Sequence, residues 1–401
     1  QTAITGDSTA MPDGREPATV KVLGSLGEVP AAQWDACAGT DDPFLSHAFL
    51  SALEESGSAS ARSGWLPRHL VVEDRDGTVI AAAPFYLKSH SYGEYVFDWS
   101  WADAYERAGG RYYPKLQSAV PFTPVTGRRL LVRPGADAET ESELADALIA
   151  AMVTLGESLG VSSVHVNFPT EAEWRRLGDH GLLLRTGQQY HWQNRGYESF
   201  DDFLGSLSSR KRKVIRRERR AVADQGIVLS TLTGDAITER HWDAFYGFYH
   251  DTSDRKWGSA YLTRAFFSLI GETMAGNVVL VLAEADGRYV GGALNLMGRD
   301  TLYGRYWGCA ETYRFLHFEA CYYRAIDFAI ARGLTWVEAG AQGPHKIQRG
   351  YLPRRTYSAH WIADGEFRRV IERYLAEERA AVEHEMEILG QRSPFRRADD
   401  G

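Results

Sequence analysis

One pattern occurs twice in this chain and limits its fold more than any other feature. Residues 69–73 and 79–87 are apolar runs on either side of Asp76-Gly77, and residues 278–285 and 289–297 flank Asp286-Gly287 in the same way. Asp-Gly between two such runs signals a β-hairpin, because the tight turn needs backbone conformations these residues adopt at little cost. Each hairpin is followed by a helix and a strand. The first helix covers 144–159 and ends at Gly160, before a strand at 161–168; the second starts near Phe315–Phe318 and ends at Gly333, before a strand at 335–338. Hairpin, helix, strand, twice over, reads as duplication of one module. The expected class is α/β (α+β): two tandem modules, each a mixed twisted sheet flanked by helices.

The expected boundaries are a disordered leader at 1–18, a first module at 19–195, a second at 196–365 and a C-terminal helix and tail at 366–401. The first module is lengthened by 89–129, a stretch rich in aromatic residues. It is expected either to pack down on the module or to wall an acceptor pocket. At 401 residues the chain exceeds one ordinary core. Its formal charge of −8 argues against a general nucleic-acid coat, and no DNA partner is expected. Cys37, Cys309 and Cys321 show no CxxC spacing, so neither a zinc site nor any other metal centre is expected. The longest strongly apolar run, 278–283, is far short of a membrane span, which leads to the expectation of a soluble, cytoplasmic protein. Phosphate-loop, zincin, nucleophile-elbow and Rossmann motifs are missing, so no tightly bound cofactor is expected.

Two stretches carry chemistry. Residues 203–224 form a helical run crowded with Lys and Arg, Arg212 and Arg216 among them, with Leu207, Val214 and Ala221 recurring every seven residues as an apolar seam. A solvated face, a contact with nucleic acid or membrane, and a clamp on a polyanionic substrate are all open for it. The second stretch is 301–351. Arg305 and Trp307 lie on a strand, His317 and Glu319 at a helix start, and Glu338 at a strand end, with His345, Lys346 and Arg349 just beyond. Ionisable groups past a strand's carboxyl end are where open sheets place ligands. The helix of this stretch is expected to bury Cys321, Ala325, Phe328 and Ala329. His191, Lys256 and Trp257 are further candidates for the ligand pocket.

Residues 311–337 resemble the central segment of the GNAT acyltransferase superfamily, although the phosphate-binding glycines are replaced by Arg314-Phe315-Leu316-His317-Phe318-Glu319. The motifs at 187–197 (GQQYHWQNRGY), 209–220 (SRKRKVIRRERR) and 338–351 (EAGAQGPHKIQRGY) are similar to the FemAB-like branch, related to Fem-type peptidoglycan aminoacyltransferases and ceramide-synthase-like N-acyltransferases. The resemblance implies an N-acyltransferase. Its co-substrate would be an acyl thioester, on coenzyme A or a carrier protein, and its acceptor an amine, in one version long-chain and sphingoid-like. Peripheral membrane contact goes with that acceptor. The alternatives are an aminoacyl-tRNA donor acting on a peptidoglycan precursor, and a pair of modules that only binds ligands. For the transfer itself Glu338 is expected as base, with His345 or His317 next in line. Lys346, Arg349, Arg212 and Arg216 would hold donor phosphates. Arg305, Trp307, Glu319, His191, Lys256 and Trp257 would line the pocket.

Overall fold

The structure, a computed structural model, describes residues 19–257, 260–340 and 343–396. The chain divides into two compact units, one taking residues up to 187 with 356–381, the other 188–355 with the residues after 381. The division does not fall at 195 and 365. It falls inside the strands Leu183–Gln193 and Leu352–Ile362 and the helix Gly365–Gln391, which show no polar linker to mark it in the sequence.

The first unit runs β1 (Thr19–Leu23), α1 (Ala31–Ala38), α2 (His47–Glu55), β2 (Trp65–Pro67), β3 (His69–Glu73), β4 (Val79–Ala83), β5 (Tyr86–Lys88), α3 (Trp99–Arg107), β6 (Lys115–Ser118), β7 (Leu131–Val132), α4 (Ala138–Leu159), β8 (Ser163–Asn167), α5 (Glu171–Asp179) and the start of β9 (Leu183–Gln193). The first hairpin closes as its sequence requires. The Asp74 carboxylate accepts from the amides of Asp76 and Thr78 at 3.0 and 2.9 Å, and Gly77 takes φ 77°. Asp137 caps α4 through the Thr140 amide at 2.9 Å, and left-handed Gly160 ends it. β1, β3, β4 and β7 form one antiparallel sheet; the late strand Leu352–Ile362, β8, β6, β5 and β2 neighbour one another in a second series. Leu148, Ile149 and Met152 of α4 bury against Leu70, Val72, Ala81, Leu116, Val164 and Val166. Each such side chain contributes about 1.5–3 kcal/mol.

The stretch 89–129 is not a simple insertion. It supplies β6, which lies between β5 and β8 inside the sheet. The strand was hidden in the sequence because Lys115 and Gln117 interrupt its apolar pattern, yet both are fully buried. Lys115 Nζ donates to Glu94 at 2.7 Å and to Asp98 at 2.5 Å, and all three residues are at most 4 % exposed. Beside them, on paired strands, His165 and His360 meet Nδ1 to Nδ1 at 2.7 Å, with Ser163 and Ser358 on their outer nitrogens at 2.7 and 2.9 Å.

The second unit completes β9 and continues through α6 (Phe200–Ser206), α7 (Ser209–Ala223), β10 (Val228–Thr233), α8 (Glu239–Trp257), α9 (Arg264–Thr273), β11 (Val278–Ala285), β12 (Arg288–Met297), β13 (Thr301–Cys309), α10 (Leu316–Phe318), a π-helical turn at Glu319–Tyr323, α11 (Arg324–Ala331), β14 (Trp336–Glu338), a 3-10 helix at Pro344–Arg349, the start of β15 (Leu352–Ile362) and the end of α12 (Gly365–Gln391). Asp286 and Gly287 both take positive φ, 49° and 73°, as a two-residue hairpin turn requires. The strand order is β10-β11-β12-β13-β14-β9, antiparallel except for the β13–β14 pair. Two expected faces are corrected. The π turn inserts an extra residue into its helix, so Tyr322, Tyr323 and Ile326 are buried while Cys321 and Phe328 are only partly so. On α7 the buried line is Ile215, Glu218 and Val222; Val214 and Ala221 are half-buried, and Leu207 precedes the helix. The seven-residue spacing picked the neighbouring row because the true one contains a glutamate.

The buried imidazoles of the first unit set a pH dependence. Burial, reinforced by Lys115, pushes His165 down to about 3, and burial holds His360 well below its usual value. In the unfolded chain both rings take up protons below about 6.5. Folding then excludes those protons, so stability falls as pH drops from about 6.5 towards about 3. Glu94 opposes this from about 7 to about 4.5, because burial raises its carboxyl to about 7. The steepest loss is therefore expected below about 4.5. Urea midpoints should decline across this range, and His165→Gln, which cannot be protonated, should flatten the decline. An unchanged slope would contradict neutral buried imidazoles.

Candidate functional site

β13 and β14 are paired over three rungs, Thr301–Trp336, Leu302–Val337 and Tyr303–Glu338. β14 then stops, while β13 continues to Cys309. Among the described residues, its edge from Gly304 onward faces no strand, and the two strands leave an opening at the carboxyl end of β14. On the other side of β13 the register with β12 jumps from Leu294–Tyr306 to Asn295–Gly304, so Arg305 is the extra residue of a β-bulge. A Cβ on Gly304 would lie 3.2 Å from the Glu338 carbonyl oxygen, so glycine lets the last rung close.

At that rung sits a buried ionic group. Glu338 is 7 % exposed, with Arg305 Nη2 3.6 Å from one carboxylate oxygen and His191 Nε2 3.8 Å from the other. β9 places His191 opposite Glu338 in register. Burial, then Arg354, Arg305 and Lys346, bring His191 down to about 3, so it is neutral. Lys346 Nζ donates to the carbonyls of Ala339 and Gly340 at 2.6 and 3.0 Å. Burial first and Arg305 second lower its ammonium to about 7.

Outside this group lies an aromatic and imidazole layer built by β13, the π turn and the 3-10 helix. Exposed His345 holds its Nε2 3.1 Å from the Tyr322 hydroxyl. Burial, with Arg349 and Lys346, lowers the His345 pKa, and burial raises that of Tyr322, so at neutral pH both carry no charge. His317 lies 5.4 Å from Trp307, 5.3 Å from Tyr322 and 6.4 Å from His345 between ring centroids. Gly343 takes φ 117°, and a Cβ there would come within 2.5 Å of the His345 ring. Glycine at 343 thus leaves room for that imidazole.

Several residues chosen from the sequence do other work. Arg349 is clamped: its Nη2 donates to both Glu218 carboxylate oxygens at 2.9 Å, and its guanidinium lies 3.4 Å from the Phe318 ring centroid. Tyr323 donates to the same carboxylate. Glu319 is 4 % exposed and accepts from Arg219 at 2.9 and 3.1 Å. Lys346 and Arg349, expected on donor phosphates, and Glu319, expected in the pocket, thus all hold partners within the fold. Arg216 is exposed and pairs with Asp201 at 2.9 Å; Arg212 is half-buried. The side chains of Lys256 and Trp257 lie outside the described residues. Sequence reasoning missed Tyr322, Phe318 and Glu218, which only the π turn and the true face of α7 bring into place. Among the described residues no three His, Cys, Asp or Glu side chains converge as metal ligands.

The Glu218–Arg349 pair predicts a measurable asymmetry. The two side chains are 6 % and 8 % exposed. Glu218→Leu alone strands a buried guanidinium and should cost about 3–5 kcal/mol in denaturant unfolding, while Glu218→Leu with Arg349→Met should regain most of it.

Comparison with known proteins follows the same architecture. Among curated proteins, none matches this chain in sequence. The solved structure of FemX is 13% identical, with a TM-score of 0.53, covering 86% of this chain and 98% of FemX. L-PGS from Bacillus licheniformis is 11% identical with a TM-score of 0.50, covering 89% and 98%. The C-terminal domain of a putative lysylphosphatidylglycerol synthetase from Agrobacterium fabrum is 9% identical with a TM-score of 0.52, again covering 89% and 98%. At such identities the likeness is one of fold. A family model described as peptidoglycan biosynthesis/recognition matches residues 25–397, nearly the whole sequence, and the chain therefore belongs to the FemAB-like family.

Proposed function

We propose that this protein is an N-acyltransferase that moves an acyl group from an activated thioester, on coenzyme A or an acyl carrier protein, to an amine, with a long-chain, sphingoid-like amine as acceptor. The observation that carries the transfer chemistry is the uncharged His345–Tyr322 pair at the opening beside β14. An attacking amine must be neutral, and imidazole is the side chain best matched to taking its proton near pH 7. With Nε2–H donated to Tyr322, Nδ1 is the acceptor for that proton. The amine nitrogen bonds to the thioester carbon, the C–S bond breaks, and the proton passes from His345 to the departing thiolate. Glu338 is the weaker choice for base, since it is buried and already faces Arg305 at 3.6 Å. It serves better as the anion that draws in an ammonium group. Arg212 and Arg216 are the residues left to meet donor phosphates.

A second reading takes aminoacyl-tRNA as donor and a peptidoglycan precursor as acceptor. Membership of a family described by peptidoglycan biosynthesis/recognition, and a fold shared with FemX, favour it. That description also leaves room for a protein that binds without turnover.

Palmitoyl-CoA with a sphingoid amine, followed by thiol release, tests the first reading. His345→Ala should lower kcat/KM by about 10²–10⁴-fold, and Glu338→Gln by less. The acid limb of the pH profile should lie below the usual imidazole value of about 6.5, since His345 is depressed and acts in its unprotonated form. Absence of thiol release at every chain length, with consumption of aminoacyl-tRNA instead, would overturn the thioester reading.

A further inference from the structure

α7 sorts its charges by side. Its inward residues Glu218 and Arg219 are tied to Arg349, Glu319 and Asp327. Its outward residues Arg210, Lys213, Arg217 and Arg220 are all exposed, and among the described residues none of these four has a carboxylate partner. Spaced three or four apart, they line one face along about 15 Å of helix. Like charges this close repel one another, and in a chain of net charge −8 a row of them left unneutralised calls for an external anion.

The end of the row decides which anion. Gln225, just past the C-terminus of α7, binds the backbone of Arg314 in both directions, at 3.1 and 3.2 Å. That turn brings exposed Arg314 and half-buried Phe315, whose ring lies 4.7 Å under the guanidinium, beside the helix end. Val228, two residues after left-handed Gly226, is 69% exposed. Phe315 packs inward against the cluster of Val222, Ile227 and Leu316, so Val228 is the exposed apolar side chain here. Cations near an exposed aliphatic suit a headgroup layer, where charge meets lipid phosphate and the aliphatic reaches the acyl boundary. A nucleic-acid strand would neutralise the row but would leave Val228 in water. The turn at 311–315 also leads directly into Leu316 and His317, next to the candidate site.

We infer that the outward face of α7, with Arg314 and Val228, is a docking surface for an anionic phospholipid bilayer. It goes beyond the acyl-transfer reading and rests on it only for its purpose, which is to bring a membrane-resident acceptor to the site. Vesicle binding is measured without turnover, so the two readings fail separately.

The experiment is flotation of the full chain with vesicles of phosphatidylcholine alone or mixed with phosphatidylglycerol. Binding is expected only to the mixed vesicles and should weaken with salt. Lys213→Gln, Arg217→Gln and Arg220→Gln together should lower the partition coefficient roughly a hundredfold, at about fivefold per cation. Val228→Asp should weaken it further, whereas Arg217→Lys with Arg220→Lys should retain it. Circular dichroism checks that each variant is folded. Equal binding to neutral vesicles, unchanged binding by the triple variant, or binding of an RNA duplex where mixed vesicles are ignored would each overturn the inference.

Discussion

The rung between Tyr303 and Glu338 is the constraint on which the rest of the candidate site depends. It is the last place where β13 and β14 are paired, and Gly304 next to it leaves room for the Glu338 carbonyl, which a Cβ would approach to 3.2 Å. One residue later the bulge at Arg305 changes the phase of β13. The guanidinium is thereby brought to the buried carboxylate, and Trp307 to the imidazole layer beyond. β14 ends at this rung, and the bulge on the other side of β13 sets the charge beside its last residue.

α7 is the second support. Glu218 takes Arg349 and Tyr323, and Arg219 takes Glu319 and Asp327, so the helix is bound to the 3-10 helix and the π turn by charge-assisted hydrogen bonds. These partners consume most of the ionic groups that a sequence reader would assign to a ligand. What is left for chemistry is mostly uncharged: His345 and Tyr322 on the outside, neutral His191 within. A site that removes a proton from an amine benefits from this arrangement, because fixed positive charge on the base itself would work against it.

Much of the architecture was legible in the sequence. Both Asp-Gly hairpins and the helix ends at Gly160 and Gly333 are local signals obeyed locally. The duplicated pattern pointed to two tandem modules, each with a helix and a strand after its hairpin. What stayed hidden depended on long-range burial of polar groups. β6 reads as a loop because Lys115 is buried with Glu94 and Asp98, which lie 21 and 17 residues earlier, beyond the reach of any local pattern. The inner face of α7 contains a glutamate, and the π turn rotates Tyr322 into the site by one residue that no periodicity announces. For the same reason Lys346, Arg349 and Glu319 were legible as charged residues near a strand end, but not as residues with partners inside the fold.

No helix among the described residues is long and apolar enough to cross a membrane. The most direct test of the account is a crystal structure with an unreactive thioether analogue of a long-chain acyl-CoA. The account predicts the analogue's sulfur in the opening beyond the Tyr303–Glu338 rung, within reach of His345 and Tyr322. An analogue bound wholly within the first unit, with that opening unoccupied, would contradict it.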